Sequence, residues 1–497
     1  MNISINGLTQ ESYTIPKDLN DEDNLKHFLQ KNSGKKVIVV QGLGFVGAVM
    51  ALVCANSISE EYAVIGVDLA TPDSYWKIKS INEGIFPLIA DDPKINEYFT
   101  ETQIKGNFYA TYDQTAYKYA DFIIVDINLD VEKKLDKSGN MYDFDVDLSK
   151  FKSAINSIAS VCKKEVLILV ETTVPPGTCE KIVKPIIEEN LIKRNLSTKD
   201  YCLGHSYERV MPGPEYINSI REFPRVFSGT NNKNANAVES FLKTIIDTSI
   251  CELTRLKHTN ATEMAKVLEN SYRAMNISFA IEWSRFAEEA GVDMYTMVDA
   301  IRVRKTHANL MYPGIGVGGY CLTKDPLLAS WARKNFFGSA ENLNMSINSV
   351  KQNDKMPIFA YNRLVEVFGN FFDKKVLFLG VSYRGDVGDT RFTPVQPLMD
   401  MLLKERSEVL LHDPYVSYWQ EQNCSIENNL NRALQCDFDL IIVSSGHNEY
   451  KSSATIKKLM AISPTKIYDT IGLYSNEQLT KLQLKHQVSV LGRGDIY

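Results

Sequence analysis

The residues with the clearest capacity for chemistry surround a cysteine that follows a glycine-rich segment. Residues 313–319 read Pro-Gly-Ile-Gly-Val-Gly-Gly, and Cys321 is followed by Lys324 and Asp325. Glycines at this density let backbone N–H groups approach a ligand, and phosphate is the usual one. A neighbouring cation favours the thiolate, which is the nucleophilic form of a cysteine. The pattern therefore predicts covalent chemistry at Cys321 rather than a cysteine of the core.

A second pattern, Gly42-Leu43-Gly44-Phe45-Val46-Gly47, lies between an apolar run and a helical one. The first glycine of this fingerprint permits a tight turn, the second lets a pyrophosphate approach the backbone, and the third lets the helix pack on the strand. Asp68 ends the next apolar run, 21 positions after Gly47, where a carboxylate accepts the hydrogen bonds of an adenosine ribose. Because this carboxylate repels a 2′-phosphate, the sequence predicts NAD rather than NADP as cofactor.

Two polar residues, Lys266 and Asn270, lie one helical turn apart in a long helical pattern, with Arg273 nearby. Residues at i and i+4 share one side of a helix. A solvated face is the simplest interpretation, but Ala274 and Ile277 lie on the same side. A lysine on a buried face needs a partner or a function, so Lys266 and Asn270 are candidate functional residues.

The elements that must position these residues alternate between strand and helix patterns. Short runs that are apolar on both faces are typical of a parallel sheet covered by helices on both sides. Such runs lie at Lys36–Gln41, Tyr62–Val67, Asp121–Val125, Val166–Val170, Val376–Leu379, Val409–His412, Leu440–Ser444 and Lys466–Tyr468. The predicted fold class is α/β, with two Rossmann-like doubly wound domains joined by a central helical domain that contains one long helix.

That long helix is predicted from Asn260 to Gly291, with Asn260 and Glu263 as a capping pair and Gly291 as the C-terminal stop. Apolar residues recur along it every three or four positions, at Met264, Leu268, Tyr272, Met275, Phe279, Trp283 and Phe286. A helix of about 30 residues is about 45 Å long, which is more than a small domain needs. We expect it to bridge domains or to pack against a second subunit.

Composition and charge exclude several classes of protein. The 497 residues include 61 acidic and 55 basic ones, so the net charge of −6 provides no basic surface for nucleic acid. No apolar run reaches the ~20 residues of a membrane span. Residues 1–34 form a polar extension with no sustained pattern, no assigned role and no secretory signal, so a cytoplasmic location is expected. The eight cysteines include no Cys-x-x-Cys pair, so neither a metal site nor a disulfide framework is predicted.

Six motifs occur in an order that resembles the UDP-glucose/GDP-mannose dehydrogenase family of nucleotide-sugar 6-dehydrogenases. The resemblance extends from about Lys35 to the C-terminus, and the motifs lie at Gly42–Gly47, Glu171–Thr178, Glu208–Gly213, Lys266–Asn270, Gly318–Asp325 and Leu379–Arg391. The Glu-Arg-Val-Met-Pro-Gly motif and the glycine segment before Cys321 are more similar to the UDP-N-acetylhexosamine branch than to the UDP-glucose branch. The implied domains are an extension at 1–34, an NAD-binding Rossmann domain at 35–250, a central helical dimerisation domain at 251–370, and a nucleotide-sugar-binding domain at 371–497.

The resemblance implies a four-electron oxidation of a sugar C6 alcohol to the uronic acid, with two NAD⁺ consumed, for the synthesis of polysaccharide precursors. Cys321 matches the family's nucleophile, which holds the aldehyde as a thiohemiacetal and then becomes a thioester. The other implied catalytic residues are the oxyanion-stabilising pair Lys266 and Asn270, the general base Glu208, and Asp325 and Thr173 as holders of the reactive water.

The resemblance also implies which residues contact the two ligands. Cofactor contacts are implied for Gly42, Gly44, Phe45, Val46, Gly47, Asp68, Thr173, Lys324 and Arg391. Substrate contacts are implied for Glu208, Arg209, Lys266, Asn270, Gly314, Gly318, Gly319, Tyr383 and Arg384, with the Arg384 guanidinium pairing with the diphosphate. The long helix is expected to form a homodimer interface.

The chain departs from the family pattern at two places near the implied ligands. Residues 126–130 read Asp-Ile-Asn-Leu-Asp where the family usually has a Pro-Thr-Pro-like turn, and Tyr207 stands where a proline often precedes the glutamate. Both departures affect the wall around the cofactor or the substrate.

Three alternatives to a UDP-N-acetylhexosamine dehydrogenase follow from these patterns. The first is a UDP-glucose or GDP-mannose 6-dehydrogenase of the same family. The second, a two-electron dehydrogenase of the β-hydroxyacid type, has no use for Cys321 or for a second α/β domain. The third, a non-catalytic nucleotide-sugar-binding protein, is disfavoured because Cys321, Lys266, Glu208 and Asp325 are all present.

Overall fold

The computed structural model describes residues 3–88, 90–136, 139–210 and 213–496, so Met211 and Pro212 of the Glu208–Gly213 motif lie outside the described residues. The strands in this part of the chain are β1 (Ile3–Ile5), β2 (Ser12–Thr14), β3 (Lys36–Gln41), β4 (Tyr62–Val67), β5 (Phe108–Thr111), β6 (Phe122–Val125), β7 (Asp130–Leu135), β8 (Met141–Asp147), β9 (Val166–Val170), β10 (Tyr201–Tyr207), β11 (Arg225–Gly229), β12 (Leu253–Arg255), β13 (Lys375–Leu379), β14 (Glu408–His412), β15 (Tyr418–Trp419), β16 (Cys424–Ser425), β17 (Leu440–Val443), β18 (Lys466–Asp469) and β19 (Gln487–Val490).

The α-helices of the same residues are α1 (Glu22–Lys31), α2 (Gly47–Ala55), α3 (Tyr75–Asn82), α4 (Pro93–Lys105), α5 (Ser149–Val161), α6 (Lys184–Lys193), α7 (Tyr216–Arg221), α8 (Asn232–Ile245), α9 (Thr259–Glu289), α10 (Met294–Arg302), α11 (Asp325–Asn335), α12 (Asn344–Phe368), α13 (Val395–Lys404), α14 (Leu430–Ala433), α15 (Ser453–Ala461) and α16 (Asn476–Gln483). Among these described helices, none is long and apolar enough to cross a membrane.

The chain divides into two compact units. One comprises Met1–Glu132, Asp145–Val267 and Trp331–Glu341, and the other comprises Lys133–Phe144, Leu268–Ser330 and Asn342–Tyr497. Each unit has its own parallel sheet and its own apolar core. The bounds of the four segments drawn from the sequence stay a prediction.

The first unit is built on an eight-stranded sheet with the order β12-β11-β10-β9-β6-β3-β4-β5. The strands from β10 to β5 in this order run parallel, and β11 with β12 runs antiparallel to them. Successive parallel strands therefore have the order 3-2-1-4-5-6 of a dinucleotide-binding fold, which reverses direction between β3 and β6. Ligands bind such sheets in the crevice at the carboxyl ends of the strands around this point.

The second unit contains a five-stranded parallel sheet with the order β14-β13-β17-β18-β19. This is the 2-1-3-4-5 order of a doubly wound sheet. Strand β13 is buried from Val376 to Leu379 and β17 over its whole length, because both faces of the sheet are covered. The predicted α/β class with two Rossmann-like domains and a helical region between them is confirmed.

The long helix α9 has 31 residues, as its pattern predicted, but the predicted capping pair is wrong. The helix already includes Thr259 and Asn260. The buried Glu263 carboxylate instead accepts hydrogen bonds from the backbone N–H groups of Gly177 (2.6 Å) and Cys179 (2.7 Å). A tertiary contact with the loop after β9 thus replaces the local cap.

The apolar stripe of α9 lies on the exposed side of the helix. Six of its residues are between 44% and 66% exposed, namely Met264, Leu268, Tyr272, Phe279, Trp283 and Phe286. The opposite side is buried at Lys266, Ala274, Ile277 and Ile281. The stripe is therefore not part of the core of the single chain.

Residues 3–34 are folded, although the sequence shows no sustained pattern there. Strands β1 and β2 form an antiparallel pair, and α1 buries Leu25 and Phe28. Elements this short have little intrinsic stability. They therefore depend on packing against the rest of the first unit rather than on a periodic sequence.

Glu263 makes the stability of the chain depend on pH. Burial raises its pKa from 4.5 to about 7, although the two backbone hydrogen bonds act to lower it. A carboxyl whose pKa is raised on folding stabilises the native state below its unfolded pKa, and this contribution is lost as pH rises through 7. The shift corresponds to about 3 kcal/mol. We expect the thermal midpoint of the wild type to fall between pH 5 and pH 8 more steeply than that of Glu263→Gln.

Glu282→Gln is the matched control, because Glu282 lies on the same helix and is exposed. It should keep the pH dependence of the wild type. Equal slopes for Glu263→Gln and the wild type would contradict the assignment of the titration to Glu263.

Candidate functional site

The loop between β3 and α2 has the geometry that the glycine fingerprint predicts. Gly42 has a φ of 97°, which favours glycine, and a side chain there would overlap the carbonyl oxygen of Asp126. A side chain at Gly47 would overlap the carbonyl oxygen of Gly42. At Gly44 no atom lies within 4 Å of the position that a Cβ would take. The backbone of Gly44 thus borders open space at the N-terminus of α2, where a pyrophosphate fits.

Asp68 follows β4 directly and lies beside this loop. Its Oδ2 accepts a hydrogen bond from the N–H of Leu43 (3.0 Å), and its Oδ1 accepts one from the N–H of Leu69 (2.7 Å). Both oxygens keep a further lone pair for a ligand hydroxyl, and the residue is half-buried. Phe45 and Val46, the other predicted cofactor contacts of the loop, are also half-buried.

The departure at residues 126–130 places a carboxyl group beside the glycine loop. Asp126 follows β6, and its Oδ2 is inaccessible to solvent, with no hydrogen-bond partner among the described residues. Burial raises the pKa of this carboxyl well above its ordinary value, and repulsion by Glu171 and Glu208 adds to the rise. Arg225 forms a buried ion pair of 3.3 Å with Glu171 and so offsets part of this negative charge.

The loop after β9 carries Thr173, which is half-buried. The Thr172 hydroxyl beside it accepts a hydrogen bond from the N–H of Ile127 (2.8 Å). Glu263 binds the far end of the loop at Gly177, where φ is 103°. Thr173 is therefore carried by a segment that is anchored at both ends.

Lys266 and Glu208, for which separate catalytic roles are predicted, form a buried contact. The Lys266 Nζ donates to the carbonyl oxygen of Glu208 (2.7 Å) and to its carboxylate Oε1 (3.2 Å). The ring centre of Tyr207 lies 5.5 Å from the same Nζ. The tyrosine at the family's proline position thus adds a cation–π contact to the lysine. Arg209 donates to the carbonyl oxygen of Pro224 (2.9 Å).

In the second unit, Cys321 is exposed and lies four residues before Asp325, the first residue of α11. Its carbonyl oxygen accepts a hydrogen bond from the N–H of Asp325 (2.8 Å). The fully buried Asp325 carboxylate accepts from the Lys324 Nζ at Oδ1 (2.8 Å) and from the Asn270 Nδ2 at Oδ2 (2.7 Å). An accessible thiol and a carboxylate fixed at both oxygens therefore lie four residues apart.

Lys324, predicted as the cation that activates Cys321, forms an ion pair of 2.8 Å with Asp325, in which the two buried charges compensate each other. Its effect on the Cys321 thiol stays a prediction. The Arg391 guanidinium also interacts electrostatically with Cys321. Burial acts to lower the pKa of Arg391, but the Asp389 carboxylate raises it, and Tyr383 and Cys321 add to the rise. Arg391 holds Asp389 through two hydrogen bonds of 2.9 and 2.6 Å. The sequence assigned Arg391 to the cofactor alone and missed Asp389.

Two glycines of the segment before Cys321 pack closely against residues of the loop that follows β13. A side chain at Gly318 would overlap Tyr383 and the carbonyl oxygen of Phe392, and one at Gly319 would overlap the Tyr383 ring. The N–H of Gly319 donates to the carbonyl oxygen of Arg391 (2.9 Å). These two glycines thus pack closely on the loop that follows β13, and their predicted ligand contacts stay predictions. Gly314, by contrast, has only distant neighbours, at 3.8 Å or more.

The loop after β13 carries Tyr383, which is half-buried, and Arg384, which is exposed. Buried Asp413 holds the start of this loop by accepting from the N–H groups of Val381 (2.9 Å) and Ser382 (3.0 Å). His447 binds Asp413 (3.1 Å) through Nε2 and accepts the N–H of Asp386 through Nδ1 (2.8 Å).

Sequence reasoning missed Asp413 and His447, although both follow apolar strand runs, where functional polar residues concentrate in parallel sheets.

Comparison with known proteins identifies three domains of one family in order along the chain. Residues 36–246 match the NAD binding domain of the UDP-glucose/GDP-mannose dehydrogenase family, residues 260–351 its central domain, and residues 377–476 its UDP binding domain. The chain is 31% identical over 423 residues to a UDP-N-acetyl-D-mannosamine dehydrogenase of Pyrococcus horikoshii, which covers 84% of this chain and 90% of the relative. A UDP-N-acetyl-D-mannosamine dehydrogenase of Methanocaldococcus jannaschii is 30% identical over 94% of this chain and 99% of its own length.

Among solved structures, the UDP-D-ManNAc dehydrogenase of Pyrococcus horikoshii aligns with a TM-score of 0.76 and 27% identity, over 93% of this chain and 100% of that one. Fold and site define an NAD-dependent oxidoreductase. The chain belongs to the UDP-glucose/GDP-mannose dehydrogenase family, and its cofactor is NAD. The roles of the individual site residues stay predictions.

Asp68 is predicted to set the preference for NAD⁺ over NADP⁺. Removing its charge in Asp68→Asn weakens the hydrogen bonds to the ribose and the repulsion of a 2′-phosphate at the same time. Because a charge-assisted hydrogen bond contributes ~1.5–3 kcal/mol, we expect the KM for NAD⁺ to rise at least about tenfold. The ratio of kcat/KM for NAD⁺ to that for NADP⁺ should fall.

Asp73→Asn is the control, because Asp73 is an exposed aspartate in the same connection. It should change neither constant by more than about twofold, as for an ordinary surface substitution. Comparable kcat/KM for the two cofactors in the wild type would contradict the assignment of Asp68.

Proposed function

We propose that the protein oxidises the C6 alcohol of a UDP-N-acetylhexosamine to the uronic acid in a four-electron reaction through a covalent intermediate on Cys321. The observation that carries this proposal is the exposed Cys321 thiol next to an Asp325 carboxylate fixed by Lys324 and Asn270. A two-electron dehydrogenase has no use for a nucleophile of this kind. The product would serve the synthesis of polysaccharide precursors.

The residues of the first unit fit NAD. The open space at Gly44, the turn at Gly42 and the free lone pairs of Asp68 provide a cradle for the pyrophosphate and an acceptor for the ribose. When bound, NAD⁺ accepts a hydride from C6 in each of the two oxidation steps.

Lys266 and Asn270 are proposed to stabilise the negative charge that develops on the C6 oxygen. They lie one turn apart on α9, so both side chains face the same side of the helix. Each such preorganised donor contributes ~3–4 kcal/mol to transition-state stabilisation. The contact with Glu208 holds the Lys266 ammonium in one place before the substrate binds.

Cys321 is proposed to prevent escape of the aldehyde. Its sulfur adds to the carbonyl carbon, and the carbonyl oxygen takes up a proton, which gives a thiohemiacetal. The second oxidation removes the hydrogen of this carbon and the hydroxyl proton, which leaves a thioester. Water then attacks the thioester, with Glu208 accepting its proton, and the products are the carboxylate and the free thiol. Asp325 and Thr173 are proposed to position this water.

UDP-N-acetylmannosamine is the proposed substrate within this class, because the relatives with 30–31% identity carry that sugar in their names. UDP-glucose and GDP-mannose are the alternatives within the family. A spectrophotometric screen of these sugars with UDP-N-acetylglucosamine and UDP-N-acetylgalactosamine separates them. Two NADH per sugar are expected, whereas a two-electron dehydrogenase forms one.

We also propose a homodimer that buries the exposed stripe of α9. Single exposed apolar residues are common on protein surfaces, but six large ones on one helix face form a patch. Such patches mark interaction sites. The proposed partner of the stripe is a second copy of this chain. Each copy presents the same stripe, so the two α9 helices can pair about a two-fold axis.

Cys321→Ser tests the covalent route. A serine hydroxyl is a much weaker nucleophile at neutral pH, so the variant should bind both ligands but lose steady-state turnover by about three orders of magnitude or more. Stopped-flow measurement of NADH and calorimetric titration of NAD⁺ check the two parts of this expectation. Near-normal formation of two NADH per sugar would show that the covalent mechanism is wrong.

Glu208→Gln provides the complementary variant, because it should slow hydrolysis while leaving the thiol in place. A sugar adduct on Cys321 should then accumulate and be visible by intact-protein mass spectrometry. Cys436→Ser is the matched control, since Cys436 is the other exposed cysteine among the described residues and has no proposed role. It should retain wild-type turnover.

Phe279→Glu tests the dimer. Phe279 is 52% exposed in the single chain and lies in the middle of the stripe, so a charge there would be buried without a partner in a dimer. Light scattering at micromolar concentration should show a dimer for the wild type and a monomer for the variant. Phe372→Glu, at a phenylalanine with 53% exposure away from α9, should remain dimeric. A monomeric wild type would refute the proposal.

A further inference from the structure

The folded N-terminal segment contacts the part of the first unit that follows Asp68. We infer that residues 3–21 are a positioning element for the cofactor site, which fixes the connection from Asp68 to α3 and thereby the adenosine end of NAD. This inference rests on the role proposed above for Asp68.

The first contact is made by Ser4, whose side chain is fully buried. Its hydroxyl donates to the carbonyl oxygen of Pro72 (2.6 Å) and accepts from the N–H of Trp76 (3.0 Å). Pro72 lies four positions after Asp68, and Trp76 lies in the first turn of α3. One hydroxyl therefore bridges the two sides of the turn that leads from Asp68 into α3.

Asn6 makes a second contact to the same helix. Its side-chain amide is fully buried and donates to the Ser80 hydroxyl on α3 (3.1 Å). The side-chain oxygen Oδ1 of Asn6 accepts hydrogen bonds from the N–H groups of Leu8 (2.8 Å) and Thr9 (3.2 Å), which fixes the turn between β1 and β2. The hairpin is thus held to α3 by polar groups that have specific partners.

The third contact approaches Asp68 from the neighbouring strand. The Asp21 carboxylate accepts from the Thr111 hydroxyl (2.7 Å) and from the Tyr109 hydroxyl (2.8 Å). The carbonyl oxygen of Thr111 in turn accepts the backbone N–H of Asp68 (3.1 Å). Thr111 therefore connects the N-terminal segment to the backbone of the proposed ribose acceptor.

These contacts predict a specific consequence of loosening the segment. A carboxylate binds a ribose diol well only if it is held in one position before the ligand arrives. Loss of the Ser4 or Asp21 hydrogen bonds should weaken the adenosine end of the cofactor and leave the UDP-sugar unaffected.

The test measures binding to Ser4→Ala and Asp21→Asn without catalysis. We expect the Kd for NADH, from its fluorescence, and the Ki for ADP-ribose, from competition with NADH, to rise together by about fivefold. ADP-ribose contains the adenosine end of the cofactor without the nicotinamide. A parallel rise of its Ki and of the Kd for NADH therefore locates the effect at the adenosine end. The Kd for the UDP-sugar, from calorimetric titration, should stay within about twofold, as for a site that is not coupled to the change. A purely structural role would lower the melting temperature without this split.

Ser12→Ala is the matched control, because Ser12 lies in the same hairpin and is exposed. It should leave all constants unchanged. Asp68→Asn, measured in parallel, separates the two assumptions. An unchanged Kd in Asp68→Asn would overturn the ribose assignment, whereas a raised Kd there with unchanged values in Ser4→Ala and Asp21→Asn would overturn the positioning role alone.

Discussion

Backbone N–H groups in the loops at the carboxyl ends of parallel strands have no ladder partner, and each one that is buried needs another acceptor. In both units this acceptor is repeatedly a carboxylate. Glu263 accepts two such groups from the loop after β9, Asp413 accepts two from the loop after β13, and Asp68 accepts one from the glycine loop. These three loops, which carry Thr173, Tyr383 and the glycine fingerprint, are held by the carboxylates at positions that no strand ladder reaches.

A buried carboxylate in this role is costly, and the two units offset the cost differently. Glu263 has only neutral hydrogen-bond donors among the groups that lower its pKa, so burial prevails and raises its pKa to about 7. Asp413 is equally buried, yet its pKa lies below the ordinary value, because hydrogen bonding and attraction from His447 are added to the backbone donors. The His447 imidazole thus helps to keep the Asp413 carboxyl an anion at neutral pH, whereas Glu263 has no partner of this kind among the groups that lower its pKa.

The sequence predicts the parts of this structure that depend on local pattern. Strands β3, β4 and β9 have the predicted bounds, and α9 has the predicted length, because burial on both faces and helical periodicity are visible in neighbouring residues. It does not predict the anchors. Glu263 is 84 positions from Cys179 along the chain, and its spacing from Asn260 fits a capping box equally well. The partners of the N-terminal segment were missed for the same reason, since Ser4 and Trp76 are 72 positions apart.

The environment of Cys321 shows how close packing of glycines positions the proposed nucleophile. The thiol is exposed, but its backbone is fixed on both sides: the N–H of Gly319 binds the carbonyl oxygen of Arg391, and the N–H of Asp325 binds the carbonyl oxygen of Cys321. The first bond is possible only because Gly318 and Gly319 have no side chains to separate the two loops. The second belongs to the start of α11, where Asp325 is buried and held by two donors. An accessible sulfur on a backbone held by hydrogen bonds is what the proposed attack on a bound aldehyde requires, because such a reaction depends on the orientation of the attacking atom.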